Sequence, residues 1–262
     1  MIFFDDPLIK KSLHLEQIMT QTKTILAVET STAACSVALL YKDNSYQRYE
    51  VLPQKHAHRL LEMVDEVLSE ANVEGADIDF IAYGEGPGAF TGVRIAAGVV
   101  QGLALGWDKP VLGVSSLESM AELALQELQQ TQGKQKGLEE IPWCALMDAR
   151  MKEIYVQSGT FNIQTGQWMT LETQLLAPEK TEEVIKNLSV ECIGLGDIKK
   201  EYQAITSLFT QWFDVLPSAL SVAYIARRID KEKNSAHKGI ALPVYLRNHV
   251  ADTIEERKQK QL

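Results

Sequence analysis

The chain has 262 residues, 45% of them apolar and 23% charged, so it carries enough apolar material for a sizeable core and is not wholly disordered. A formal charge of −9 argues against a chain that grips nucleic acid unaided, because phosphate contacts need clustered Lys and Arg. Cys35, Cys144 and Cys192 lie far apart with no Cys-x-x-Cys pair, which leaves no zinc or redox motif and suits small buried residues in a reducing cytosol.

Residues 1–22 carry Asp5 and Asp6 where a secretory signal would be basic, and Met19 falls just before the first convincing strand. This segment reads as an N-terminal extension, disordered or upstream of an alternative start, and is left out of the fold. No window reaches the ~18–20 apolar residues of a membrane span. A cytoplasmic protein without a membrane partner is expected.

The folded part opens at residues 24–29, where four consecutive apolar residues predict a strand buried on both faces and ending on Glu29. A hydroxyl-rich turn (Thr30-Ser31-Thr32), a second apolar run at 35–41, a turn at Asp43-Asn44-Ser45 and a third run at 46–52 predict an antiparallel meander. Apolar residues at three- and four-residue spacing from Leu60 to Ala71 predict an amphipathic helix over 58–71. A strand over 78–83 then runs into a glycine-rich segment, Gly84 to Arg94. A helix over 91–106 and a short buried strand over 110–114 follow.

Ser115 and Glu118 have capping-box spacing and open a helix through Leu128. Residues 129–140 are polar and linker-like. A second strand set follows over 141–148 and 153–161, with a hairpin tip at 162–166, a helix over 179–188 and a strand and turn over 191–196. Helices over 200–213 and 218–231 close the chain. The organisation expected is an N-terminal extension (1–22), a first lobe (23–113), a second, smaller lobe (114–217), a C-terminal helix and tail packing back (218–248), and a frayed tail (249–262). Each lobe opens with a strand ending on an acid, Glu29 or Asp148, which suggests a repeated α/β unit.

In the glycine-rich loop, Gly86, Gly88 and Gly92 permit backbone conformations closed to other residues, and Pro87 stiffens the approach to a helix. The loop reads either as a tight strand-to-helix corner or as an anion cradle at a helix N-terminus, although the Gly-Lys-Ser/Thr ending of a P-loop is missing. On the helix, Gly98, Gly102 and Gly106 are spaced by four, making a groove for this chain's own sheet or for a partner's helix. Glu29, Thr30 and Ser31 could place magnesium or water beside a phosphate, or simply cap a turn. Arg150 could reach a phosphate or pair with Glu153. His56 and His58 would diverge by about 200° on a helix and are expected to be solvated, while His14, His237 and His249 lack ligand partners at a suitable spacing. No metal site and no catalytic residue is expected.

Five segments occur in an order that resembles the TsaB (YeaZ) family. They are Ile25 through Thr32, Cys35 through Ala38, Gly86 through Ile95, Met147-Asp148-Ala149-Arg150 with Glu153-Ile154-Tyr155, and Pro243-Val244-Tyr245-Leu246-Arg247. The resemblance implies an α/β fold with two lobes, that of the actin, Hsp70, hexokinase and acetate kinase (ASKHA) superfamily, built from a degenerate duplicated β-β-β-α-β unit. It implies a non-catalytic subunit that works with a TsaD-like catalytic paralogue and a TsaE-like ATPase. Together they transfer threonylcarbamoyl from threonylcarbamoyl-adenylate to N6 of the adenosine next to the tRNA anticodon. The chain would form a homodimer when alone, meet tRNA only through the complex, and bind no cofactor by itself, with ATP or ADP at the joint interface.

The departures fit that reading, since no His-x-x-x-His metal pair is present and Glu29 stands where the family usually has aspartate. Family resemblance puts partner contacts on the helices over 58–71 and 92–105, here Leu61, Val64 and Leu68 with Val93, Arg94, Ala97 and Gly98. The alternative is an independent enzyme of the same fold, a small-molecule kinase or glycoprotease-like peptidase.

Overall fold

The computed structural model describes residues 22–52, 55–132, 139–233 and 235–247, without the side chains of 129–132 and 233. The expectations for 1–21, for most of the linker, for the frayed tail, and for His14 and His249 lie outside the described residues.

The meander forms as β1 (Ile25–Glu29), β2 (Ala34–Tyr41) and β3 (Asn44–Val51), paired antiparallel in sequence order. Helix α1 (His56–Ala71) leads to β4 (Phe80–Gly86), helix α2 (Phe90–Trp107) and β5 (Val111–Ser115). β4 lies parallel to both β1 and β5, giving the order β3-β2-β1-β4-β5. Alternation along β1 explains why its whole run is apolar. Leu26 and Val28 join the core under α1 and α2, whereas Ile25 and Ala27 face Val222, Ala223 and Ala226 of the last helix, α6 (Ala219–Lys233).

The second lobe follows helix α3 (Ser116–Gln132), whose cap is the Ser115 hydroxyl accepting the Glu118 N–H at 3.4 Å. Its strands are β6 (Glu140–Arg150), β7 (Glu153–Asn162), β8 (Trp168–Thr170), β9 (Gln174–Leu176), β10 (Ile193–Gly196) and β11 (Trp212–Asp214). In the order β11-β10-β6-β7-β8, β6 pairs antiparallel with β7 and parallel with β10, the same relations that β1 has with β2 and β4. Helix α3 covers one face through Leu117, Met120, Ala124 and Leu128. Helices α4 (Pro178–Lys186) and α5 (Gln203–Thr206) lie over the other. Helix α3 also meets α6 through Ser119, whose hydroxyl donates to Ser218 O and accepts its N–H, both at 3.1 Å, and through the Arg228–Glu122 ion pair.

Three expectations fail here. The helix expected over 200–213 shrinks to the single turn of α5, and β11 replaces its end. Phe209 and Trp212, 5.7 Å apart, pack where a Cβ on Gly194 would stand, so their helix-like spacing serves a sheet edge. Helix α1 starts two residues early and buries His56, whose Nε2 lies 3.2 Å from Ala34 O, while His58 stays exposed. Helix α2 does reach the length and apolarity of a membrane span, but it lies along the first sheet with Val93, Ala96, Ala97 and Val100 in the core.

Leu117 is fully buried and Leu105 is 81% exposed. Leu117→Ala is expected to lower unfolding stability by ~2–5 kcal/mol and Leu105→Ala by less than ~0.5 kcal/mol. Urea unfolding of the two variants checks this, and equal shifts would contradict the layer assignment.

Candidate functional site

Glu29 closes β1 with its carboxylate fully buried. Oε1 accepts the Ser31 N–H at 2.5 Å and Oε2 accepts the Ser116 hydroxyl at 2.8 Å. Above it passes Gly84, where any Cβ would overlap a carboxylate oxygen. Burial pushes the Glu29 pKa up, and the donors from Ser31 and Ser116 draw it part of the way back. A carboxyl so enclosed caps a turn and fills a junction, and is not exposed to hold magnesium or water toward a phosphate.

The neighbouring turn is locked in the same way. Thr30 donates its hydroxyl to Gly92 O at 2.8 Å, and Ser31 O accepts the Ala89 N–H at 2.7 Å. A Cβ on Gly88 would strike Ser31, and one on Gly92 would strike Thr30 O. The glycines therefore let the corner press onto the turn's backbone, the tight strand-to-helix corner that was one of the two readings. Gly86 has φ +103°, and Glu85 O beside it accepts the Val244 N–H at 2.7 Å.

The matching place in the second lobe is the β6–β7 hairpin. Arg150, Met151 and Lys152 all have positive φ, 62°, 55° and 60°, and the last two make the primed turn that suits the strands' twist. Arg150 pairs with Asp148 at 2.9 Å and is 83% exposed. The Arg150–Glu153 pair, one of the two readings of Arg150, does not form, and Glu153 is held by Arg247 instead. Asp148 N–H donates to Asp197 Oδ1 at 2.9 Å, and burial, with Asp148 nearby, raises the Asp197 pKa.

Between the two turns lies a cleft of about 690 Å³, lined by Ser31, His56 and Phe90 on one side and by Asp148, Arg150 and Asp197 on the other. Of its charged groups, Asp148 pairs with Arg150, and Arg247 with Glu153. The Ser116–Glu29 hydroxyl–carboxylate pair is buried away from it. The thiols are poor nucleophiles, since burial pushes Cys35 to about 11 and Cys192 to about 12, and Cys144 well above the ordinary range. Among the described residues no group of three His, Cys, Asp or Glu side chains could hold a metal.

The expected contact residues divide into two groups. Val64, Leu68, Val93 and Ala97 belong to this chain's own core and offer a partner little surface. The wide stripe of α1 is wide because it covers the sheet. Leu61 is half exposed, Arg94 is exposed, and Gly98, Gly102 and Gly106 would each meet nothing within 4 Å if given a Cβ. The tail over 235–247 was expected to pack back on the lobes and part of it was singled out as a motif, but its extended course between them was not foreseen. It lacks any periodicity to signal its packing.

A profile of the family described as "TsaD: tRNA N6-adenosine threonylcarbamoyltransferase" matches residues 48–251. The tRNA threonylcarbamoyladenosine biosynthesis protein TsaB of Escherichia coli K12 is 38% identical over 87% of this chain and 96% of its own length. Its namesake in Haemophilus influenzae is 35% identical over 88% and 96%. A solved structure described as "YeaZ from Pseudomonas aeruginosa" superposes with a TM-score of 0.67 at 37% identity, over 86% of this chain and all of that one. Fold and profile together define a two-lobed α/β protein of the TsaD-like group. Within that group, the chain belongs to the TsaB (YeaZ) family.

The raised Glu29 pKa has a direct consequence for stability. Below the ordinary carboxylate value of 4.5 the group is protonated in both folded and unfolded chains. As pH rises through that value toward the folded one, only the unfolded chain ionises freely, so stability falls across that window. Glu29→Gln removes the charge and keeps the shape. Melting temperatures of variant and parent are expected to agree near pH ~4, with the variant gaining an increasing advantage toward pH ~8. A constant gap across the range would contradict the burial argument.

Proposed function

We propose that this chain is the non-catalytic partner subunit that a TsaD-like transferase requires to place threonylcarbamoyl on N6 of the adenosine next to the tRNA anticodon. The relatives' names point to that biosynthesis. The observation that carries the subunit reading is the outer face of α2. Gly98 and Gly102 stand inside a helix, where each costs ~1 kcal/mol relative to alanine, and among the described residues neither borders another part of the chain. A neighbouring helix can come close there, flanked by Leu61, Arg94 and the 81%-exposed Leu105.

On this reading the face meets the TsaD-like paralogue, or a second copy when the chain is alone, in the cytoplasm. A TsaE-like ATPase completes the assembly, and tRNA is held by the complex and not by this acidic chain. The chain holds no nucleotide by itself, and ATP or ADP belongs at the joint interface.

Gly98→Arg tests the face cleanly, because no described residue crowds that position, whereas Ala97→Arg would disrupt the core. The variant is expected to fold normally and to lose ~100-fold or more, about 3 kcal/mol, in association with its TsaD-like partner. Unchanged binding by calorimetry would exclude this face. Reconstitution with the partner, the ATPase, tRNA, ATP and threonylcarbamoyl-adenylate tests the function itself, and full modification without this chain would overturn it.

A further inference from the structure

The segment over 235–247 runs extended from one lobe to the other. On the first lobe His237 pairs with Val111 through both backbone groups, and Ala241 N–H donates to Gln101 Oε1 at 2.8 Å. The Tyr83 hydroxyl takes the Leu242 N–H at 2.9 Å and donates to Leu242 O at 3.1 Å, and Val244 N–H reaches Glu85 O. Tyr245 turns its hydroxyl to Arg94 Nε at 2.8 Å, and the Arg94 guanidinium lies 3.3 Å from the centre of the Phe90 ring, in the first turn of α2.

At the next residue the attachments change lobe. Leu246 packs against the second lobe's core. Arg247 donates to Ala149 O at 3.1 Å and to Arg150 O at 3.3 Å, and closes an ion pair with Glu153. Its guanidinium thus holds the hairpin turn in which three successive non-glycine residues have positive φ. Such a conformation persists where surrounding contacts over-determine it. The lobes cannot separate at this side of the cleft unless one set of attachments breaks.

We infer that residues 241–247 form a latch that fixes the spacing of the lobes and couples the β6–β7 hairpin to the first turn of α2. Arg247 is a positioning residue in this device, acting on Arg94 and Phe90 through the strap.

Spin labels on Ser69→Cys and Lys186→Cys, both exposed and on opposite lobes, report the spacing in the full-length chain. The native cysteines are buried, so labelling is directed to the introduced sites. Two variants release the latch from opposite ends. Arg247→Ala frees the second-lobe end, and Val244→Pro removes the N–H given to Glu85 O. Each is expected to broaden the interlobe distance distribution and to raise hydrogen exchange at residues 90–94 by ~10-fold or more, relative to the doubly labelled parent. Arg247→Gln replaces the alanine variant if that chain does not fold. Distances and exchange matching the parent's in both variants would overturn the latch. So would a change in the Arg247 variant alone, which would place the restraint in the hairpin and not in the strap.

Discussion

The carboxyl of Glu29 sits where β1, the glycine-rich corner and the first turn of α3 converge, with no access to water. A group of that kind requires donors and space. The donors are the Ser31 N–H, two residues away, and the Ser116 hydroxyl, 87 residues away at the start of the second lobe. The space is the missing side chain of Gly84. Satisfying Glu29 therefore fixes the path of the first turn, the passage of β4 above it and the entry to α3 in one step. The turn so fixed then needs Gly88 and Gly92 to let the next corner approach, and that corner aims α2.

Much of this architecture could be read from the sequence, and its limits have physical causes. The strands of the first sheet announce themselves because both faces are covered, α1 and α2 on one side and α6 on the other, leaving an unbroken apolar run in β1. Three-residue strands such as β8, β9 and β11 are too short to show a period, and Ile205, Phe209 and Trp212 carry a helical spacing that the edge of the second sheet uses instead. The acid at the end of β1 was visible, but its burial was not, because one of its two donors comes from another lobe. The tail was expected to pack back on the lobes, but the course of the strap was not legible, for the same reason. Its contacts join residues about 100 to 160 apart, Arg94 with Tyr245 and Tyr83 with Leu242 among them, and no local pattern encodes them.

The helical stripes illustrate a further ambiguity. A row of apolar residues looks the same whether a helix covers its own sheet or another protein, and Val64, Leu68, Val93 and Ala97 turned out to cover the sheet. Glycine gives a different signal, because it contributes almost nothing to burial and weakens the helix that contains it. At Gly88 and Gly92 the structure supplies the reason within the chain, a backbone pressed close. At Gly98 and Gly102 it supplies none.

That stripe also leaves α2 with little support from its own side chains along one side. Without side chains over them, the peptide groups along the outer side of α2 stand bare to water, while the inner side is held by Ala96, Val100 and Ala104. Towards its Trp107 end α2 relies on contacts from elsewhere in the chain, the Lys238–Asp108 ion pair among them, while the polar side of α1 is tied down by Arg59 to Glu50, Glu62 and Glu66. The helix with less support of its own presents the barer surface.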